Sequence, residues 1–381
     1  MTTRRIRGAV LTTTGAEPPY RDSSPLQVRD DIELSEPGEE ELLIRVEAAS
    51  VCHSDLSVVN GDRPRPVPML LGHESAGIVE QVGPGSEEFA AGQRVVMTFL
   101  PRCGDCAGCA SEGVIPCING SRANEEGTLL HGARRLADTA GNEIKHHVGV
   151  SAFATHAVVS KRSVVPVADD VPPEVAALLG CAMLTGGGAV LNVAKPQPED
   201  DVAVIGMGGV GASALLTVLA LDVRSVTAID THEDKLAFAR SLGAHAALTP
   251  DQAEEEGKTF SVVIEAVGHP KAFEAGYRLL GVGGRLVTVG LPRPGSKAEI
   301  DPLAMTAGNR AVFGSYLGTA VPERVIPEFE QLWREGRLNL EALITSTRPL
   351  DQINEAMDRL AQAQEVRQII TLDAPAGLAT S

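Results

Sequence analysis

The chain has little positive charge, few aromatic rings and no long apolar runs. Its 381 residues carry 33 Lys and Arg against 50 Asp and Glu, a formal net charge of −17. A surface of that sign repels phosphate backbones and anionic headgroups, so composition argues against nucleic acid and membrane surfaces as partners. No stretch approaches the ~20 apolar residues of a membrane-crossing helix. The N-terminal MTTRRIRGAVLTTTGAEPP has arginines but neither an apolar h-region nor a small-residue cleavage site. That argues against a secretory leader and for a cytoplasmic setting. Aromatic residues make up 3%, while Gly numbers 39 and Pro 24, which favours turns and close backbone approaches over a helical bundle. Internal repeats and low-complexity linkers are missing as well. With 43% hydrophobic residues and the usual ~100–200 residues per domain, two domains with sizeable cores are expected.

Cysteine is also scarce, and its six copies fall into two sets. Cys103, Cys106, Cys109 and Cys117 lie together in CGDCAGCASEGVIPC, whereas Cys52 and Cys181 stand far apart in CHSD and LLGCAMLTGG. In a reducing compartment such a run reads as a metal site rather than a disulfide framework. Four thiolates close a tetrahedral shell, as in structural zinc sites. Two cysteines and a histidine leave a fourth position open, as in catalytic ones. Taken alone, Cys52 and Cys181 read equally well as buried structural cysteines. Their neighbours raise them above that: Cys52-His53-Ser54-Asp55 follows a β-type segment, and Gly72-His73-Glu74 follows GDRPRPVPMLL. His73 by itself would pass for a satisfied core histidine.

The first part of the chain is β-rich, with short valine- and isoleucine-rich segments such as ELLIRVEAASV and SAGIVEQVG. From about residue 186 strands and helices alternate, which implies a parallel sheet covered on both faces. Within VAVIGMGGVG an apolar strand runs into Gly206, Gly208 and Gly211 in the GxGxxG frame, and the apolar helix ASALLTVLAL follows. Gly206 suits the tight turn, Gly208 lets backbone approach a pyrophosphate, and Gly211 lets helix and strand pack closely. Gly209 and Val210 complete the turn at the helix N-terminus, where free N–H groups meet negative charge. Asp230 closes the next strand, where a carboxylate accepts from ribose hydroxyls and repels a 2′-phosphate. NAD is therefore expected over NADP. The competing reading is a tight turn followed by a solvated acid.

The cysteine–histidine pair, GHE, the four-cysteine lobe, GC…TG, and GxGGVG with its downstream Asp occur in one order. That set resembles the medium-chain zinc-dependent alcohol dehydrogenases, in particular the longer class I- and class III-like members, from about residue 5 to 373. The resemblance implies an α/β protein with a GroES-like β-rich catalytic domain over residues 1–185, carrying a structural zinc lobe at about 101–118. A Rossmann doubly wound parallel-sheet domain for NAD would cover 186–317, and the chain would return to the catalytic domain over 318–381. Cys52, His73 and Cys181 would hold catalytic zinc, with Glu74 able to approach the metal and Asp55 fixing the tautomer of His73. The four clustered cysteines would hold the second zinc.

Ser54 would accept the alcohol's proton. The relay histidine expected three residues later is replaced here by Ser57. His53 would meet the NAD pyrophosphate, or else be a solvated loop histidine. Lys235 would approach the adenosine ribose, or be an exposed helix lysine. Thr185, Val267 and Val289 would line the nicotinamide pocket, and Arg367 would reach a cofactor phosphate, though alone it reads as an edge-strand surface charge. His131, His146, His147 and His156 group in and beside the loop at 118–152. A third metal is one reading of them, but the resemblance favours packing and loop roles. The implied partners are a small alcohol or aldehyde and a second copy of the chain, with a homotetramer as the alternative. A thiol-adduct formaldehyde dehydrogenase on the same scaffold is the alternative activity. A zinc-free reductase or a non-enzymatic zinc- or nucleotide-binding protein would not need these motifs intact. The tail APAGLATS is expected to fray.

Overall fold

The structure, a computed structural model, describes residues 3–372; the tail Ala374–Ser381 lies outside the described residues. The chain forms two compact units. One takes the chain up to Cys181 and again from Ile344, and the other is Ala182–Leu343.

In the first unit the described residues form a closed barrel and a seven-stranded sheet. The barrel orders Thr3–Leu11, Leu26–Ser35, Leu136–Ala137, Glu143–His146 and Met69–Leu70. The sheet is centred on Glu41–Ser50, which pairs antiparallel with Glu74–Val82, His156–Ser160 and Arg367–Thr371. Six of the ten residues of ELLIRVEAAS are apolar and eight are buried, as suits a central strand covered on both faces. Its core partners include Met69, Val95, Phe153, Ile353 and Ile370.

The second unit is built on a six-stranded sheet with every strand pair parallel. Its order is Ala246–Leu248, Ser225–Ile229, Asp201–Ile205, Phe260–Glu265, Leu280–Thr288, Ala311–Gly314. Numbered within the sheet this is 3-2-1-4-5-6, the doubly wound dinucleotide-binding arrangement. DVAVI is apolar after its first residue because both faces of a central parallel strand are covered. The helix Gly209–Leu219 follows at once and is buried from Gly211 to Val218.

Two expectations are corrected here. The return to the first unit starts at Ile344 rather than at 318. The amphipathic helix Pro322–Arg334 belongs to the second unit, where its Phe329 ring packs on Gly187 so closely that a Cβ there would lie 2.8 Å from it. The return itself begins with a strand, Ile344–Pro349, that runs parallel to Arg367–Thr371. Second, Pro173–Ala194 forms one 22-residue helical segment apolar enough, by length and composition, to cross a membrane. Its most apolar window is 83% buried inside the protein, as for a core helix. After Leu178 it widens into π-helical turns through Leu179–Gly187, and Cys181 sits on them. Such turns recur at functional sites.

Candidate active site and zinc lobe

The helix His53–Val59 starts at Cys52, whose backbone N–H donates to Asp55 Oδ2 at 3.1 Å. An acid at the third helical position reaching back to the cap is half of a capping box. The other oxygen of Asp55 accepts from Gly72 N–H at 3.3 Å and from His73 Nδ1 at 2.9 Å. Gly72 has φ +92°, and a Cβ on it would lie 2.4 Å from the Phe153 nitrogen, so only glycine lets His73 approach. One carboxylate thus ties together two segments far apart in sequence. Burial opposes the charge of Asp55, but His73 and His147 outweigh it and hold the carboxyl well below its usual range.

With Nδ1 donating, His73 presents Nε2 to the two sulfurs. Cys52 Sγ, Cys181 Sγ and a ring nitrogen of His73 lie within 4.8 Å of one another, all three residues buried. Cys181 Sγ is 3.6 Å from His73 Nε2, and a tetrahedral zinc with the usual bond lengths gives an edge of about 3.6 Å. The donor set and spacing fit zinc, with three protein ligands and one position left over. The Cys181 thiol donating to it holds Cys52 well below the usual thiol range, and the Cys52 sulfur pushes Cys181 well above it.

In the lobe, Cys103, Cys106, Cys109 and Cys117 also gather within 4.8 Å. The sulfur–sulfur distances of 3.8, 3.9 and 3.6 Å match the edge of about 3.8 Å expected for a zinc tetrathiolate. Backbone N–H groups of Cys103 and Gly120 point at Cys117 Sγ, and that of Gly104 at Cys109 Sγ, each at 3.3 Å. These donors stabilise thiolates, so the lobe fits a closed zinc shell. Its thiols differ sharply. Burial pushes Cys103 up to about 12. Burial also opposes the ionisation of Cys106, but backbone N–H groups of Cys109 and Ile118 outweigh it and bring the thiol down to about 6.

Other predicted residues lie outside the sulfur–nitrogen cluster. Glu74 is not in the sulfur–nitrogen cluster. Its Oε2 lies 3.5 Å from Nη1 of Arg367, and both side chains are buried. Burial raises the Glu74 carboxyl to about 7 even though Arg367 opposes the rise. Arg367 is therefore no edge-strand surface charge; besides this ion pair, its Nη1 donates to the Val51 carbonyl at 3.3 Å. Lys235 is 7% exposed, which removes the exposed-lysine alternative. Ser54 is half-buried on the first turn of its helix, and His53 is exposed. Ser57 Oγ donates to the His53 carbonyl at 2.9 Å.

In the second unit the strand ends carry Gly206, Asp230, Val267 and Val289 along the carboxyl edge of the sheet. Gly206 has φ +91°, and a Cβ on Gly211 would lie 1.7 Å from the Gly206 oxygen, so both positions exclude other residues. A Cβ on Gly208 would meet nothing within 4 Å, so open space faces the turn. Asp230 accepts from Met207 N–H at 2.7 Å and from His232 N–H at 3.0 Å, which fixes its carboxylate beside the turn. Gly209 and Val210 open the helix, and Thr185 is half-buried on the π-helical turns.

Of the four histidines near the loop, three stay apart from the site. His131 is 65% exposed, His146 accepts from Arg135 N–H at 3.1 Å, and His156 faces Glu80 at 3.4 Å. His147 joins the site, with Nδ1 3.3 Å from Asp55 Oδ1. Sequence reasoning missed this, since His147 has no fixed spacing to either motif.

Fold and site define a zinc-binding dehydrogenase with a dinucleotide-binding unit. The profile of the Alcohol dehydrogenase GroES-like domain matches residues 38–169, and that of Zinc-binding dehydrogenase matches 209–335. The chain is 32% identical over 365 residues to alcohol dehydrogenase class-2 isozyme 2 of Oryctolagus cuniculus, covering 92% of this chain and 96% of that protein. It resembles an alcohol dehydrogenase zinc-binding domain protein from Burkholderia ambifaria at TM-score 0.91 and 32% identity, over 98% of this chain and 100% of the other. The benzyl alcohol dehydrogenase of Acinetobacter calcoaceticus superposes at TM-score 0.85 and 29% identity, over 98% and 100%. The chain belongs to the zinc-dependent alcohol dehydrogenase family, with zinc as its metal.

Proposed function

We propose that the chain moves a hydride between a small alcohol, or the matching aldehyde or ketone, and NAD in preference to NADP. The observation that carries this reading is the three-sided shell of Cys52, His73 and Cys181. When bound, zinc polarises the substrate oxygen as a Lewis acid and NAD exchanges the hydride. Asp55 keeps Nδ1 of His73 protonated and so leaves the Nε2 lone pair for the metal. Ser54 accepts the alcohol's proton. Ser57 holds its own proton on the His53 carbonyl, which takes it out of the donor side of a relay. Arg367 balances the buried Glu74 carboxylate and offers its remaining donors to a cofactor phosphate, while His53 stands exposed for the pyrophosphate. Gly206 to Gly211 receive the pyrophosphate, Asp230 and Lys235 take the adenosine ribose, and Thr185, Val267 and Val289 border the nicotinamide.

We propose a homodimer as the working state, supported by the outer sheet strand Ala311–Gly314 and the exposed Phe313, Leu303 and Val282. Six free thiols suit a reducing, cytoplasmic compartment. The function is tested by NADH absorbance with primary, secondary, aromatic and thiol-adduct alcohols, using zinc-counted protein and both NAD and NADP. Turnover of simple alcohols with NAD is expected. NADP preference, or turnover of a thiol adduct alone, would sink the reading. Light scattering on the zinc-loaded protein distinguishes dimer from tetramer.

A further inference from the structure

Asp55 receives more than the hydrogen bond to the metal-ligand histidine. Its Oδ1 faces His73 Nδ1 at 2.9 Å and His147 Nδ1 at 3.3 Å. The approach of His147 is close but falls short of hydrogen-bond geometry, which leaves its Nδ1 a buried nitrogen with no hydrogen-bond partner among the described residues. His147 is 2% exposed, so water does not compete for this nitrogen. The same ring stands edge-on to His73, with centroids 5.3 Å apart and planes at 88°. Phe99 stands against His73 at 5.7 Å and 90°. His73 is thus held between two perpendicular rings, and one of those rings also reaches its carboxylate. The backbone of His147 is fixed in turn by its N–H donating to Ser151 Oγ at 2.8 Å.

We propose that His147 is a positioning residue of the catalytic zinc centre: it donates from Nδ1 to Asp55 and holds both the carboxylate and the His73 ring in the orientation the metal needs. A buried carboxylate is costly unless its oxygens are fully engaged. Cys52 N–H engages Oδ2, Gly72 N–H and His73 engage Oδ1, and His147 adds a third approach to Oδ1. Its contribution is geometric, since a carboxylate free to rotate would take the His73 ring with it. The three buried groups Asp55, His73 and His147 do not form a third metal site, because the Nδ1 atoms of both rings serve Asp55.

The inference rests on the reading of Cys52, His73 and Cys181 as a zinc centre. Wild-type protein holding a single zinc would overturn both, whereas the outcomes below separate them in protein holding two. The first measurement is NMR of zinc-loaded, 15N-histidine-labelled wild type. Nδ1 of His147 should carry the proton, and a bare Nδ1 overturns the assignment whatever the variants do. The second is the rate at which a chelator strips each zinc. His147→Phe keeps a ring but removes the donor, and it should release the catalytic zinc about tenfold faster, the lower end of what outer partners of metal ligands contribute. Loss of the lobe zinc should be unchanged. His147→Gln restores a donor and should return the rate to within about threefold of wild type. A wild-type release rate in His147→Phe overturns the proposal. So does a His147→Gln variant as leaky as His147→Phe, because restoring a donor would then not restore the hold on zinc. Equal acceleration at both zinc sites overturns it too, since that reports general loosening.

Discussion

Gly208→Ala separates a ligand site from a structural turn. Gly208 sits at φ −76° and ψ −176°, extended backbone open to any residue, and an added Cβ would meet no protein atom within 4 Å. Replacing glycine where alanine fits stabilises by about 0.4–1 kcal/mol through the unfolded chain, so the melting temperature should hold or rise slightly. The methyl would nevertheless project where a pyrophosphate must approach the helix N-terminus. Losing one hydrogen bond to a charged group costs about 1.5–3 kcal/mol. At 1.4 kcal/mol per factor of ten, NADH should bind roughly ten- to a hundredfold more weakly. Gly211→Ala is the control: its Cβ would lie 1.7 Å from the Gly206 oxygen, so stability and NADH binding should fall together. Calorimetric titration with NADH and a thermal melt on the same zinc-loaded samples measure both effects. Wild-type affinity in a folded Gly208→Ala protein would refute the argument, because the open space would then not be where the cofactor lies.

Three further outcomes are expected. Ser54→Ala should lower kcat by about 10²–10⁴-fold while zinc content and NADH affinity stay as in wild type. Ser57→Ala, whose hydroxyl is already bound to the His53 carbonyl, should cost far less, and equal losses in the two variants would show Ser57 to be an indispensable relay member. Cys103→Ser should leave one zinc per chain and lower the melting temperature; a variant that keeps two zinc ions by elemental analysis contradicts the closed-shell assignment. Burial, with Arg135 adding to it, holds His146 down to about 3 from the usual 6.5. The unfolded chain therefore binds a proton between those values that the folded one refuses, and stability falls as pH drops through that window. His146→Gln, which keeps an acceptor for Arg135 N–H, should move acid unfolding to lower pH, and an unchanged midpoint excludes His146 as a contributor.

The zinc ligands and the glycine turn were legible because each is a local solution. A four-cysteine shell within one loop and a strand–turn–helix around Gly206 depend on backbone geometry a few residues long. Cys52, His73 and Cys181 are far apart, and what linked them in sequence was motif order, not periodicity. The partners of long-range packing were not legible. Arg367 lies on a strand added beside Glu41–Ser50, and nothing in EVRQIIT says that its guanidinium meets Glu74. The return at Ile344 was misplaced because Pro322–Arg334 carries no marker of which sheet its apolar face will cover. Pro173–Ala194 was not recognised as one long apolar helix, since Gly180 and Gly186 to Gly188 interrupt the pattern.

The unequal thiols of the two sites make zinc loading an acid–base reaction. Cys106 is prepared to bind as a thiolate, while Cys103 and Cys181 hold their protons until a cation takes the proton's place. Each capture therefore expels protons, and by mass action the free-zinc concentration needed to fill the chain falls as pH rises. Occupancy of either site is thus set jointly by zinc and by hydrogen ion. Mild acidification with a chelator should empty sites that the chelator alone, at higher pH, leaves filled.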